Sequence, residues 1–192
     1  MVRIAFGHKK RVGKDTACDY LISKYGGIKM SFAEPLYDIL HHAQRVCGFE
    51  VSKDRPFLQF VGTEWARSKD ADVWVKLLSH KVSNSAAIND NIFVSDLRFR
   101  NEFAMLKTLG FACVLINSGQ RSLQEHIEAH QSETELLDSR QWDYVIDNKD
   151  ALQDFYHQLD TLYIGLPALW PAPDCERNPV APECESKLYL CR

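Results

Sequence analysis

Apolar positions along the chain alternate between short continuous runs and helically spaced stripes. Val2–Phe6 is a short apolar run, followed by a loop that contains Gly7 and Gly13. Beyond the loop, Cys18, Leu21, Ile22 and Tyr25 recur at i, i+3, i+4 and i+7, one face of a helix. Gly26-Gly27 ends that helix with residues that tolerate positive φ. Ile28–Ser31 reads as a short strand. Leu36, Ile39, Leu40, Ala43, Val46 and Cys47 then mark an amphipathic helix with Pro35 near its first turn.

Two further helical stretches follow, over about 56–67 and 71–83; in the second, Trp74, Leu77 and Leu78 share a face. Ile92–Ser95 reads as a buried strand, and Phe103, Leu106 and Leu109 before Gly110 mark another helix. Phe111–Ile116 (FACVLI) is continuous and apolar, as parallel core strands are. Residues 117–141 are polar and read as a loop or a helical insertion. Trp142–Ile146 returns as a strand, and Leu152, Phe155, Leu159 and Leu162 give the last helix. Strands separated by helices predict an α/β fold, a parallel sheet of about five strands covered on both faces.

Composition bounds this picture. With 192 residues, 45% hydrophobic and 26% charged, the chain can bury the core of one domain, and disorder throughout is excluded. A net charge of −3 argues against a surface built to grip nucleic acid. No apolar stretch approaches the roughly 18–20 residues that span a bilayer. The apolar run from Met1 to Phe6 meets His8, Lys9, Lys10 and Arg11 directly, which is no signal-peptide pattern. Cys18, Cys47 and Cys113 sit singly inside apolar-periodic segments and read as small buried thiols, which fits a reducing cytoplasm.

The averages hide an asymmetry. Five of the seven prolines and three of the six cysteines (Cys175, Cys184 and Cys191) lie in the last 28 residues. Gly165-Leu166-Pro167, just after Tyr163, reads as a helix stop. It divides a body, residues 1–164, from a proline- and cysteine-rich tail, residues 165–192. The tail's cysteine spacing matches no standard zinc pattern. Packing over the sheet edge through Leu169, Trp170 and Leu190, with free thiols, is the expectation for it.

The chemistry concentrates after the first strand, in VRIAFGHKKRVGKDT. A strand, a glycine loop and Gly13-Lys14-Asp15-Thr16 opening a helix form the context of a P-loop. Free N–H groups at a helix N-terminus point at phosphate oxygens, and the helix dipole favours their charge. Lys14 would bridge the β- and γ-phosphates of ATP and the Thr16 hydroxyl would ligate Mg²⁺. Five residues separate Gly7 from Gly13-Lys14, where the usual spacing has four, so the loop is one residue longer or His8 takes a glycine position. A basic surface patch is the plainer reading of Lys9, Lys10, Arg11 and Lys14, but strand and helix around the loop favour phosphate.

Three further segments are too polar for simple core. In LQFVGTEWARSKDADVWVK, Gly62-Thr63 breaks the helical pattern, with Arg67 and Trp74 close behind. SDLRFRNE places Asp96 and Arg98 just past a strand's C-terminal end, the edge where open parallel sheets bind ligands. His126, His130, Glu133 and Glu135 lie in the polar insertion between Arg121 and Arg140 without tight metal-ligand spacing. Arginine binds phosphate bidentately, which makes Arg98 a candidate for an acceptor phosphate. Asp96 is a candidate for Mg²⁺ through water or for a hydrogen bond from Thr16. Arg121 and Arg140 are candidates to close a lid, about 117–141, over ATP. For each the bland alternative is a surface salt bridge, a helix end or a solvated charge, and periodicity alone makes Trp74 core.

GKDT, LQ-x3-GTE with Arg67 and then W-V-K, D-x-R-x3-E and a closing DYVIDN strand occur in that order. Together they resemble the deoxynucleoside monophosphate kinases of T-even-like bacteriophages, from about Val2 to Leu162. The resemblance implies a P-loop kinase that phosphorylates a deoxynucleoside monophosphate with ATP and Mg²⁺ in host cytoplasm, and it leaves room for a homodimer. It implies Lys14, Asp96 and Arg98 as catalytic residues. Lys10, Arg11, Val12, Gly13, Lys14, Asp15, Thr16 and Arg121 would bind ATP, with Thr16 and Asp96 at the metal. Phe32, Gly62, Thr63, Arg67, Trp74 and Arg98 would bind the acceptor, through a helical segment of about 34–83. Two departures stand out: Tyr37 replaces a lysine frequent in relatives, and the stretch from Cys47 to Leu58 is short beside the T-even kinases. Alternatives from the residues are a P-loop kinase of another small phosphorylated metabolite or modified nucleotide, and a non-catalytic nucleotide-binding protein.

Overall fold

The run from Arg3 to Gly7 becomes β1, the middle strand of a five-stranded sheet. The computed structural model describes residues 1–7, 10–85, 91–118, 136, 142–149 and 151–169. The other strands are β2 (Ile28–Met30), β3 (Ile92–Leu97), β4 (Ala112–Asn117) and β5 (Tyr144–Asp147). Their order is β2-β3-β1-β4-β5 and every neighbouring pair is parallel. The expected α/β architecture is the one observed.

The helices are α1 (Lys14–Tyr25), α2 (Glu34–Val46), α3 (Arg55–Gln59), α4 (Ala66–Lys69), α5 (Val73–Ser85), α6 (Arg100–Thr108) and α7 (Leu152–Leu169). A six-residue π-helical segment, Phe60–Trp65, joins α3 to α4. Two buried clusters cover the two faces of the sheet. Ile4, Phe6, Phe93 and Val114 pack with Cys18 and Leu21 of α1 and with Phe155 and Leu159 of α7. Ala5, Ile92, Val94 and Cys113, offset by one residue, pack with Trp74 and Leu78 of α5 and with Phe103 and Leu106 of α6. The period-2 alternation of the strands produces this division, and it explains why β1, β3 and β4 read as nearly continuous apolar runs.

Helix α1 is fixed against α7 by more than apolar contact. Tyr20 stacks on Tyr156 and Tyr25 on Tyr163, with ring centroids 4.0 and 3.9 Å apart. Asp160 accepts hydrogen bonds from the Tyr20 and Tyr25 hydroxyls and pairs with Lys24 at 2.6 Å. These hydrogen bonds and the ion pair hold Asp160 below the usual carboxylate range against the opposing pull of burial. The helix that opens the glycine loop therefore starts from a clamped position.

Three sequence expectations are corrected. The last helix does not stop at Gly165–Pro167 but runs to Leu169, so five residues read as tail are helical. Leu166 is the reason: it extends the Phe155, Leu159, Leu162 stripe and is buried with them. Gly62-Thr63 does not break its helix; the turn widens to π geometry and the chain continues. The fifth strand begins at Tyr144, because Trp142 stands edge-on to Phe103, centroids 5.2 Å apart, against Gly7. Residues of the polar insertion other than Asn117, Ser118 and Leu136 lie outside the described residues, as does the tail beyond Leu169.

Gly7 ends β1 where the glycine loop begins. A Cβ there would lie 2.2 Å from the Trp142 ring and 3.1 Å from the Leu97 carbonyl. Gly7→Ala should therefore displace Trp142 and destabilise the fold by about 1–3 kcal/mol, read as a lower urea midpoint at unchanged slope.

Candidate active site

The carboxyl ends of β1 and β3 lie side by side, and the loops leaving them carry the residues of interest. From β1, the chain passes through Lys10 and Arg11 into Gly13, the residue before α1. Arg11 has φ 62° and Gly13 φ 102°. A left-handed arginine is an uncommon conformation, of the kind that collects at functional loops. Val12, between them, is buried in the α1/α7 cluster and anchors the loop. Its carbonyl accepts a 3.0 Å hydrogen bond from Asn148 Nδ2, just after β5. A Cβ on Gly13 would lie 2.7 Å from that same Nδ2, so the bond requires glycine there.

Lys14 is buried at the first position of α1, while Asp15 and Thr16 are exposed. Asp15 is 2.8 Å from Lys29 of β2, which also pairs with Asp19 at 3.1 Å. Burial raises the Asp15 pKa, but Lys29, a hydrogen bond with Ser95 and the nearby Lys14 together hold it below the usual range. Lys29 thus offsets the one acidic group beside the lysine, and the loop keeps its cationic character. A helix N-terminus, a buried lysine and backbone turned by two left-handed residues are features suited to a polyphosphate.

Among the described residues no cluster of three or more His, Cys, Asp or Glu could cage a metal. Mg²⁺ needs no such cluster, since it keeps several waters and takes its remaining ligands from substrate phosphates and one or two protein oxygens. Thr16 carries its hydroxyl on an exposed side chain in the first turn of α1.

The second constellation gathers at the end of β3. Asp96 was expected at the metal; in the structure its carboxylate faces the turn between β2 and α2. Its oxygens accept from Ser31 Oγ at 2.7 Å, Phe32 N at 3.0 Å and Ala33 N at 2.9 Å. Asp96 therefore sets the start of α2, and Phe32 contributes a buried ring to the core beneath it. Trp74 is likewise buried, and its indole N–H donates to the Gly62 carbonyl at 2.8 Å inside the π-helical turn. Its ring is core; its polar edge fixes the turn. Gly62 itself backs onto Leu36, which a Cβ would approach to 3.0 Å, and Thr63 follows half-buried.

Arg67 projects from α4 toward the same strand end. Its guanidinium lies 3.9 Å from the centre of the Phe99 ring, donates from Nη1 to the Ala71 carbonyl at 3.2 Å and from Nη2 to Glu102 Oε1 at 2.6 Å. The second oxygen of Glu102 accepts from Arg98 N at 2.9 Å and Phe99 N at 3.1 Å. Glu102 is 2% exposed. Burial, and then the charge of Asp96, raise its pKa to about 7 against the opposing pull of those two N–H groups and Arg67. Asp96, Arg98, Arg67 and Glu102 are thus brought together at one strand end, beside the loop that carries Lys14. Arg121 and Arg140, expected over ATP, lie outside the described residues, as do His8 and Lys9.

Glu102, Asn148 and Lys29 had not been singled out as site residues. Glu102 and Asn148 belong to the D-x-R-x3-E and DYVIDN motifs, which was the available signal. Their partners lie 35 and 136 residues away in sequence, so their tasks required the fold.

Comparisons with known proteins follow the same segments. A family model described as deoxynucleotide monophosphate kinase matches residues 50–159, from before α3 into α7. The uncharacterized protein ORF77 of Ictalurid herpesvirus 1 (strain Auburn) is 35% identical over 162 residues, covering 82% of this chain and 68% of that protein. A protein of Acanthamoeba polyphaga mimivirus named "Putative deoxynucleotide monophosphate kinase" is 28% identical over 190 residues, covering 83% of this chain and 94% of that one. Among solved structures, dephospho-CoA kinase from Campylobacter jejuni shares the fold at a TM-score of 0.54 and 14% identity, covering 86% of this chain and 98% of that one.

The raised pKa of Glu102 has a signed consequence. Between about 4.5 and about 7 the native state binds this proton and the unfolded state does not, so stability from this group is full below 4.5 and lost as pH rises through 7. Gln mimics the neutral form at all pH. The unfolding free energy of Glu102→Gln minus that of the parent should therefore grow by on the order of 2–3 kcal/mol from pH 4.5 to 8, measured by urea denaturation; a pH-independent difference would refute the assignment.

Proposed function

The chain belongs to the deoxynucleotide monophosphate kinase family, and from that premise we propose that it transfers the γ-phosphoryl group of ATP to a deoxynucleoside monophosphate, yielding the diphosphate and ADP. The observation that carries this reading is the juxtaposition at one sheet edge of the Lys14 loop after β1 and the Arg67–Arg98 cluster beside β3. A nucleotide-binding protein without a transfer reaction has no use for the second cluster.

Phosphoryl transfer demands positioning and charge neutralisation more than covalent chemistry by the protein. On this reading the N-terminus of α1 and Lys14 hold the β- and γ-phosphates, with Lys10 and Arg11 at the rim and Asn148 keeping the Val12 carbonyl turned away from them. The Thr16 hydroxyl would help hold Mg²⁺ beside the substrate phosphates, where the ion would supply Lewis-acid neutralisation of the transferred group. Arg67 and Arg98 receive the acceptor's α-phosphate in line with it, and Asp96 holds the β2–α2 turn that walls the acceptor side. Arg121, which lies outside the described residues, is proposed as a further ATP contact. No helix among the described residues is long and apolar enough to cross a membrane, and the host cytoplasm, where ATP and deoxynucleotide pools meet, is the proposed setting.

A panel of natural and modified dNMPs with MgATP, scored by formation of both ADP and dNDP, tests the reaction. Turnover with at least one dNMP is expected; ADP release without dNDP, or no turnover with any, would overturn it. Lys14→Ala should lower kcat by roughly 10²–10³-fold with the thermal transition retained, and near-normal turnover in that variant would refute the loop assignment.

A further inference from the structure

A glutamate three residues into a helix ordinarily stays at the surface and accepts the N-cap N–H, a service that needs no burial. Glu102 performs that service for Phe99 through one oxygen, yet it is the one acid among the described residues that is buried. Its other oxygen is committed to Arg67, which comes from a different element. Burying an ion pair seldom adds net stability over apolar packing, so stability alone does not account for it.

The geometry accounts for it differently. The guanidinium of Arg67 is stacked on Phe99, the residue whose backbone Glu102 holds, and pinned at its edges by Glu102 and the Ala71 carbonyl. Among the described residues these bonds use two of the five donors that a guanidinium carries. The plane of the group is fixed before any ligand arrives, which is how an arginine binds an anion without a large ordering cost. We infer that Glu102 is a positioning residue that locks Arg67 for the acceptor phosphate, and that the charge on Glu102 sets acceptor affinity. This inference rests on the reading of Arg67 as an acceptor contact.

The charged groups facing Glu102 are Arg67 from α4, Asp96 from β3 and, through its backbone N–H, Arg98 after β3. With its proton added near neutrality, Glu102 loses the charge-assisted bond to Arg67 while its hydrogen bonds to the start of α6 weaken but keep their geometry. Acceptor affinity then falls on the acid side while the ATP site, on the other loop, is untouched.

The test is kcat and KM for dNMP and for ATP between pH 6 and 8.5, in the parent protein, Glu102→Gln, Arg67→Ala and the double variant. The parent's KM for dNMP should rise about tenfold from pH 8 to 6 with that for ATP flat. Glu102→Gln should show about a tenfold higher dNMP KM at pH 8, kcat within about threefold, and no limb near 7. The acceptor phosphate itself titrates near 6, alike in every variant, so the parent-minus-variant difference is the readout. Arg67→Ala should raise the dNMP KM further, and adding Glu102→Gln to it should change nothing more. Glu102→Asp, which keeps the charge but draws it back, is a second variant: a raised dNMP KM with the pH limb retained is expected. An unchanged KM in Glu102→Gln or Glu102→Asp, an equal rise for ATP, or a further rise in the double variant would overturn the inference alone. Arg67→Ala without effect on the dNMP KM removes the acceptor contact on which the inference rests, and a parent inactive with every dNMP removes the proposed reaction itself.

Discussion

Two carboxylates, Asp96 near the end of β3 and Glu102 in the first turn of α6, organise the sheet edge beside the glycine loop. Asp96 takes three hydrogen bonds from the β2–α2 turn, and Glu102 takes the guanidinium of Arg67. Burial, and then the nearby charge of Asp96, push the Glu102 pKa up to about 7. That edge is thus held by polar bonds as well as by the apolar packing beneath it. The phosphate loop is set the same way from the opposite side, where Asn148 after β5 holds the Val12 carbonyl.

The sheet makes both arrangements available. Because β1, β3 and β4 are buried on both faces, their register is fixed, and the loops that leave their ends emerge at defined places. The clamp of α1 on α7 through the paired tyrosines and Asp160 extends that rigidity to the helix beginning at Lys14.

Much of this was legible in the sequence. Every strand declared itself by an apolar run, and the order of strands and helices predicted the parallel sheet. Lys14 opens the helix after β1 and Arg98 follows β3, as expected, while Asp96, expected just past that strand, lies within it. The sequence misled where tertiary contact overrode a local signal. Gly62 looked like a break, but the Trp74 indole satisfies the carbonyl of a widened turn that keeps the helix going. Gly165 and Pro167 looked like a stop, but Leu166 had a place in the core. Periodicity placed the Trp74 ring in the core, where it lies, and only the resemblance implied an acceptor contact for it; nothing local reveals that both oxygens of Asp96 meet the β2–α2 turn. Glu102 and Asn148 act on residues distant in sequence, which no periodicity encodes.

The central claim is that two phosphate sites, one built on Lys14 and one on Arg67, face each other across a single cleft. A bisubstrate analogue, adenosine and a deoxynucleoside joined through a polyphosphate bridge, tests it most directly by calorimetry against the parent protein. The account predicts one molecule bound per chain, more tightly than ATP or dNMP alone, and competition with both. Binding no tighter than ATP, or displacement by ATP but not by dNMP, would contradict it.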